Sequence, residues 1–166
     1  MMVIKRAIQV SVLAATFVVG ALPSLGYASE QAASLPGVNH VGKAKQHWLL
    51  QCQGCHRSDA SGTPGTTPAM NGIIGQFLTV PGGREYLIRV PGVATAPLND
   101  DALANLMNWT LWTFDRNHMP EDFVPYTAGE VAALRKDVLR TNAENVRAAL
   151  AADFKQGGEG PLLPER

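Results

Sequence analysis

The chain has 166 residues, 46% of them hydrophobic, and its 14 lysines and arginines equal its 14 aspartates and glutamates. That parity leaves no electrostatic footprint for nucleic acid or anionic lipid. A chain of this length with two cysteines is neither a disulfide scaffold nor a large multidomain enzyme.

Met1 to Ala28 reads as a secretory signal. Lys5 and Arg6 supply the positive start, Ala7 to Leu22 the apolar stretch, and Gly26-Tyr27-Ala28 a small-x-small cleavage site. Cleavage after Ala28 removes two cations and leaves a slight acidic excess. No later apolar run approaches the roughly 20 residues that span a bilayer, so a membrane anchor would have to be the uncleaved leader itself. Residues 29–41 form an N-terminal extension. A short helix is then expected over Gly42 to Gln51, and it runs into Cys52-Gln53-Gly54-Cys55-His56.

Two cysteines in an exported protein suggest one disulfide, but this spacing suggests other chemistry. A structural zinc site needs four nitrogen or sulfur ligands, and no further cysteine is available. A thiol–disulfide oxidoreductase places the pair at a helix start after a strand, whereas here the pair ends a helical pattern. The third reading of C-x-x-C-H, a c-type haem attachment site, fits best. Each thiol adds across one haem vinyl group. The two-residue gap sets both sulfurs along one side of a helical turn, and His56 then comes under the iron as its proximal ligand. One motif implies one covalently held haem c, which excludes a di-haem peroxidase.

Beyond the motif lies a Pro-rich loop, Thr63 to Pro68. Within Gln76 to Leu98 a short helix is expected from Gly83 to Arg89, bounded by Pro81 and Pro91. Arg84 or Arg89 could pair with a haem propionate; the alternative is two solvated cations. The next helix, Asp100 to Phe114, has Asn99 as N-cap, Asp100 and Asp101 at its positive end, and a stripe of Leu103, Met107, Leu111 and Phe114. It is apolar around more of its circumference than one buried stripe requires. One of Trp109 and Trp112 is therefore expected to cover the haem and the other to stand exposed in a docking patch, against burial of both. Thr127 and Glu130 form a capping box for a helix carrying Val131, Leu134, Val138 and Leu139. Glu144 to Phe154 reads as a last helix that packs Val146, Leu150 and Phe154. The chain thus divides into a domain over 42–140, a C-terminal helix over 141–155 and a disordered tail over 156–166.

From about Gly42 to Val138 the chain resembles a class I cytochrome c. Four features carry the likeness: the short helix with Trp48 before C-x-x-C-H; the segment Pro68-Ala69-Met70-Asn71-Gly72-Ile73-Ile74-Gly75; the helix from Asp100; and Met119-Pro120 ahead of a helix opening at Thr127. The resemblance implies an all-α, cytochrome c-like domain wrapped around one haem. It implies a non-enzymatic electron carrier of the periplasm, with a dehydrogenase as donor and an oxidase or another cytochrome as acceptor. It makes Met119 the sixth iron ligand opposite His56, with Met70 and His118 as rivals, and Met107 a core residue. It gives Pro68 the role of accepting, through its carbonyl, the ring N–H of His56. Ala44, where the family has a small glycine, marks a crossing of the first helix with the one from Thr127, which lacks the family's aromatic. His40 is expected to be solvated and His47 to lie on the outer face of its helix. The competing function is a haem protein with an open or displaceable sixth site, acting as a gas sensor or a peroxidase-like enzyme.

Overall fold

A computed structural model describes residues 34–154. The expected signal over 1–28 and the expected tail over 156–166 lie outside the described residues. The elements run α1 (Val41–Gln51), α2 (Gln53–His56), a 3-10 helix (Ile74–Thr79), α3 (Gly83–Arg89), α4 (Pro91–Ala94), α5 (Asp100–Phe114), a second 3-10 turn (Arg116–His118), α6 (Ala128–Leu134) and α7 (Ala143–Ala152). Among the described residues there is no strand, only an isolated bridge between Thr63 and Thr67. The all-α expectation holds.

The centre of the fold is α5. Its start is set by Asn99, whose side chain accepts from the Ala102 N–H at 2.9 Å. Every residue from Leu103 to Leu111 is buried. A helix with that much apolar circumference can bury two faces, and α5 does so: α1 lies against it on one side and α6 on another. This corrects the expected pairing. The partner of α1 is α5, not the helix opening at Thr127, which has only seven residues and one buried side chain, Val131. The buried face of α1 is Ala44 and Trp48, and the aromatics that meet Trp48 on the crossing helix are Phe114 and Trp109, with ring centroids 4.6 and 6.2 Å away. Asn105 extends the same contact by exchanging two hydrogen bonds with the His40 backbone, each 3.1 Å. His40 itself is exposed, as expected.

The tryptophans make no exposed patch. Trp109 is buried, and the Trp112 indole N–H donates to the Pro36 carbonyl at 3.0 Å while the ring meets Phe123 and the Arg116 guanidinium. Arg84 and Arg89, each expected either to pair with a propionate or to be solvated, are both ion-paired within the protein. Because α3 lies against α6, Arg84 forks onto both carboxylate oxygens of Glu130 at 2.6 and 2.8 Å, and Arg89 binds Asp137 at 2.6 Å. The first of these pairs leaves the capping box half-formed. Thr127 accepts from the Glu130 N–H at 3.2 Å, but the Glu130 carboxylate turns to Arg84.

The α3 start is held by close backbone approach: a Cβ on Gly83 would lie 1.9 Å from the Phe77 carbonyl oxygen. A Gly83→Ala change is therefore expected to destabilise the fold by about 3 kcal/mol through forced backbone displacement, more than the roughly 1 kcal/mol of helix propensity gained. The urea midpoint reads this directly. At the other end α7 packs Val146, Leu150 and Phe154 on the core, and the Phe154 ring meets Phe77 edge-on at 4.9 Å.

Candidate haem site

The cysteine motif occupies a single turn hinged on the end of α1. Cys52 closes α1 by donating its N–H to the Trp48 carbonyl at 3.0 Å, and its own carbonyl then accepts from the N–H groups of Cys55 and His56 at 3.2 and 3.0 Å. Residues three apart in such a turn share a side, so both thiols stand along one edge. Both are unpaired, Cys52 half-buried and Cys55 exposed. Burial, helped by the neighbouring Cys55 charge, pushes the Cys52 thiol up to about 11. A disulfide oxidoreductase needs the opposite shift, toward thiolate. Nor do three or more His, Cys, Asp or Glu side chains gather into a metal cluster among the described residues.

His56 is half-buried with its Nδ1 inside. The Pro68 carbonyl faces the ring and favours its protonated form, yet Nδ1 makes no well-aligned hydrogen bond. Desolvation outweighs that carbonyl, and with the Arg147 charge it holds the imidazole below its usual pKa. The ring is thus neutral at pH 7, the form that ligates iron. With Nδ1 turned inward, Nε2 is the nitrogen left open.

The loop that brings Pro68 there is tightly wound. Arg57 and Ala60 adopt φ of 65° and 60°, conformations that concentrate at functional sites. Gly62, at φ 72°, donates to the His56 carbonyl at 3.0 Å, and a Cβ on it would strike the Thr67 oxygen at 2.4 Å and the Pro68 carbonyl at 2.7 Å. The Met70 N–H donates to the Ala60 carbonyl at 2.8 Å, and Thr63 Oγ1 to the Cys55 carbonyl at 3.1 Å. Among these anchors only Gly62 is visible in the sequence as a residue suited to positive φ. Behind the ring stands an aromatic wall, with Trp48 6.2 Å from His56 and 4.6 Å from Phe114. His47, expected on the outer face of α1, is half-buried, and its Nδ1 is enclosed without a partner.

Met119 belongs to a different tether. The Gly72 N–H donates to the Phe114 carbonyl at 3.2 Å, and the Gly75 N–H to the buried Asp115 carboxylate at 2.7 Å. The second Asp115 oxygen contacts Nδ1 of His118, whose carbonyl carbon lies directly against Gly75. Met119 is thereby fastened, half-buried, beside Gly75, at the far end of the loop that begins at Pro68. Cys52, Cys55 and His56 share one turn with the Pro68 carbonyl near the His56 ring, and Met119 packs, half-buried, against the core that contains Trp48. Met70 lies half-buried on the same loop, and Met107 is buried in α5.

Two curated proteins named cytochrome c-552, one from Thermus thermophilus and one from a particular strain of the same species, are each 33% identical to this chain over 103 aligned positions. The alignments cover 51% of this chain and 79% and 70% of the relatives. This chain belongs to the c-type cytochromes. No protein-family model matches it, and no solved structure matches it significantly. The site fits the group such cytochromes carry: two free thiols on one edge of a turn, a neutral imidazole with Nε2 open, and a buried, unpartnered Nδ1 in a ring that has the Pro68 carbonyl nearby.

Proposed function

We propose that this c-type cytochrome is a class I, monohaem electron carrier of the periplasm. It would take electrons from a dehydrogenase and pass them to an oxidase or another cytochrome. The observation that carries this reading is the turn at Cys52–His56, where two free thiols and an imidazole with its Nδ1 buried occupy three positions of one hydrogen-bonded turn. Haem c, when bound, supplies a one-electron ferric/ferrous couple. Cys52 and Cys55 hold its edge, and His56 offers Nε2. The Pro68 carbonyl near the ring would fix its orientation once the iron is bound, as partners of metal-binding histidines generally do. Trp48 stands 6.2 Å from the His56 ring and is backed by Trp109 and Phe114, an apolar cluster beside the ligand. Leu49 and Leu50, 51% and 68% exposed just before the motif, give an apolar surface beside it suited to brief redox encounters.

The competing reading leaves the sixth iron position open to an external ligand and makes the protein a gas sensor or a peroxidase-like enzyme. One experiment separates the two, using protein matured in a host that attaches haem c. A weak band near the red end of the ferric visible spectrum, lost in Met119→Ala, supports the His–Met carrier. High-spin bands together with rapid CO binding to the reduced protein overturn it in favour of the open site. Persistence of the band in Met119→Ala transfers the sixth position to Met70.

A further inference from the structure

We infer that Asp115, buried at the end of α5, is a positioning residue for Met119. Its carboxylate laces the turn that carries Met119 to the Gly75 backbone, and so sets how firmly the sixth iron position is held against an external ligand. The inference rests on the His–Met reading above, in which Met119 is that sixth ligand.

Asp115 stands where the rigid centre of the fold gives way to the Met119 turn. Its N–H donates to the Leu111 carbonyl at 3.0 Å and closes α5. Its side chain is 2% exposed. A carboxylate so deep is costly unless its oxygens are paired, and here both are spent on the two segments that border Met119. One accepts from the buried Gly75 N–H at 2.7 Å. The other contacts Nδ1 of His118, the residue before Met119.

The segments joined in this way touch directly. A Cβ on Gly75 would lie 2.8 Å from the Asp115 carbonyl oxygen and 3.0 Å from the His118 carbonyl carbon. By contrast, the turn over Arg116–His118 has weak bonds of its own. The His118 N–H reaches the Asp115 carbonyl at 3.4 Å, and the Met119 N–H reaches the Arg116 carbonyl at 3.3 Å. Both are longer than a good N–H···O bond. The short bond to Gly75, anchored on α5, therefore fixes where this turn sits. An external ligand enters only in the fraction of molecules whose Met119 has swung away, and its apparent affinity scales with that fraction. The tie to Gly75 keeps the fraction small.

The test uses matured holoprotein carrying Asp115→Ala or Asp115→Asn, with imidazole as the external ligand. Asp115→Ala strands the Gly75 N–H and releases the turn. The red ferric band should weaken, and imidazole should bind about tenfold more tightly. Asp115→Asn can keep both contacts, its amide oxygen accepting from Gly75 and its amide N–H donating to the other tautomer of His118. That variant should bring band and affinity back close to wild type. Asp115→Ala with the wild-type band and imidazole affinity overturns the proposal even if thermal stability drops, and so does Asp115→Asn as loose as the alanine variant. If Asp115→Ala fails to mature, His118→Ala decides on the same two readouts: tighter imidazole binding with a weaker band supports the proposal, and wild-type values overturn it. Failure of the His–Met reading looks different, because the wild type itself would lack the band or Met119→Ala would keep it.

Discussion

Replacing Cys52 and Cys55 together with serine is expected to give a colourless protein from a host that colours the wild type. The turn itself should survive the change. Its hydrogen bonds run between backbone groups, from the N–H of Cys55 and His56 to the Cys52 carbonyl, and neither thiol has a disulfide or a metal to lose. Cys55 is exposed, so its replacement alone should alter the stability of the apoprotein by less than about 0.5 kcal/mol. The holoprotein should change far more, because a group bound only by the folded chain stabilises that chain, and a covalent link would make the binding irreversible. Intact mass and haem-linked peroxidase staining after denaturing electrophoresis are the measurements. Retention of a covalently bound tetrapyrrole by the double variant would mean that attachment occurs elsewhere, and the function built on this turn would fall with it.

Elements whose ends are marked by local chemistry were readable from the sequence. The α5 start follows from Asn99 and the two aspartates after it, the bounds of α3 from the flanking prolines, and the turn at Cys52–His56 from the cysteine spacing. Elements decided by packing were not readable. The sequence contains two amphipathic helices that could cross α1, and only three-dimensional competition selects α5, the longer and more apolar, over α6. Arg84 and Arg89 lie on a helix whose neighbour brings carboxylates from 46 and 48 residues away, a pairing no local pattern encodes. The loop before Pro68 is similar: positive φ at Arg57 and Ala60 is imposed by the surrounding hydrogen bonds, and neither residue type announces it. The position of Met119 depends on Asp115, whose burial and bond to Gly75 span 40 residues.

Asn108 is the clearest case of a residue that composition and periodicity pass over, and Asn108→Ala is expected to be the most destabilising single change in the helical core. The side chain is wholly buried on α5. Its amide donates to the carbonyls of Gly37 and Tyr126 at 3.0 Å each, and its oxygen accepts from the Tyr126 N–H at 2.9 Å. Three segments meet there: the approach to α1, the middle of α5 and the approach to α6. Gly37 sits at φ 74° so close to Pro125 that a Cβ would be 2.2 Å from the proline ring, and the Tyr126 hydroxyl donates onward to the Arg84 carbonyl at 2.7 Å. Truncation to alanine strands three backbone groups in a site with little water. At about 1–3 kcal/mol for each unsatisfied group, with partial relaxation, the loss should be on the order of 4 kcal/mol. That is a large share of the roughly 5–15 kcal/mol a domain has in total. Asn108→Asp should be no better, since it keeps one acceptor but sets a carboxylate against two carbonyl oxygens. Chemical denaturation of the holoprotein measures the effect, and a loss below about 1 kcal/mol would show that the three segments hold together without this residue. The visible spectrum of folded Asn108→Ala should match the wild type, because none of its hydrogen bonds reaches the Cys52–His56 turn; a changed spectrum would mean that the α5 staple also sets the geometry around His56.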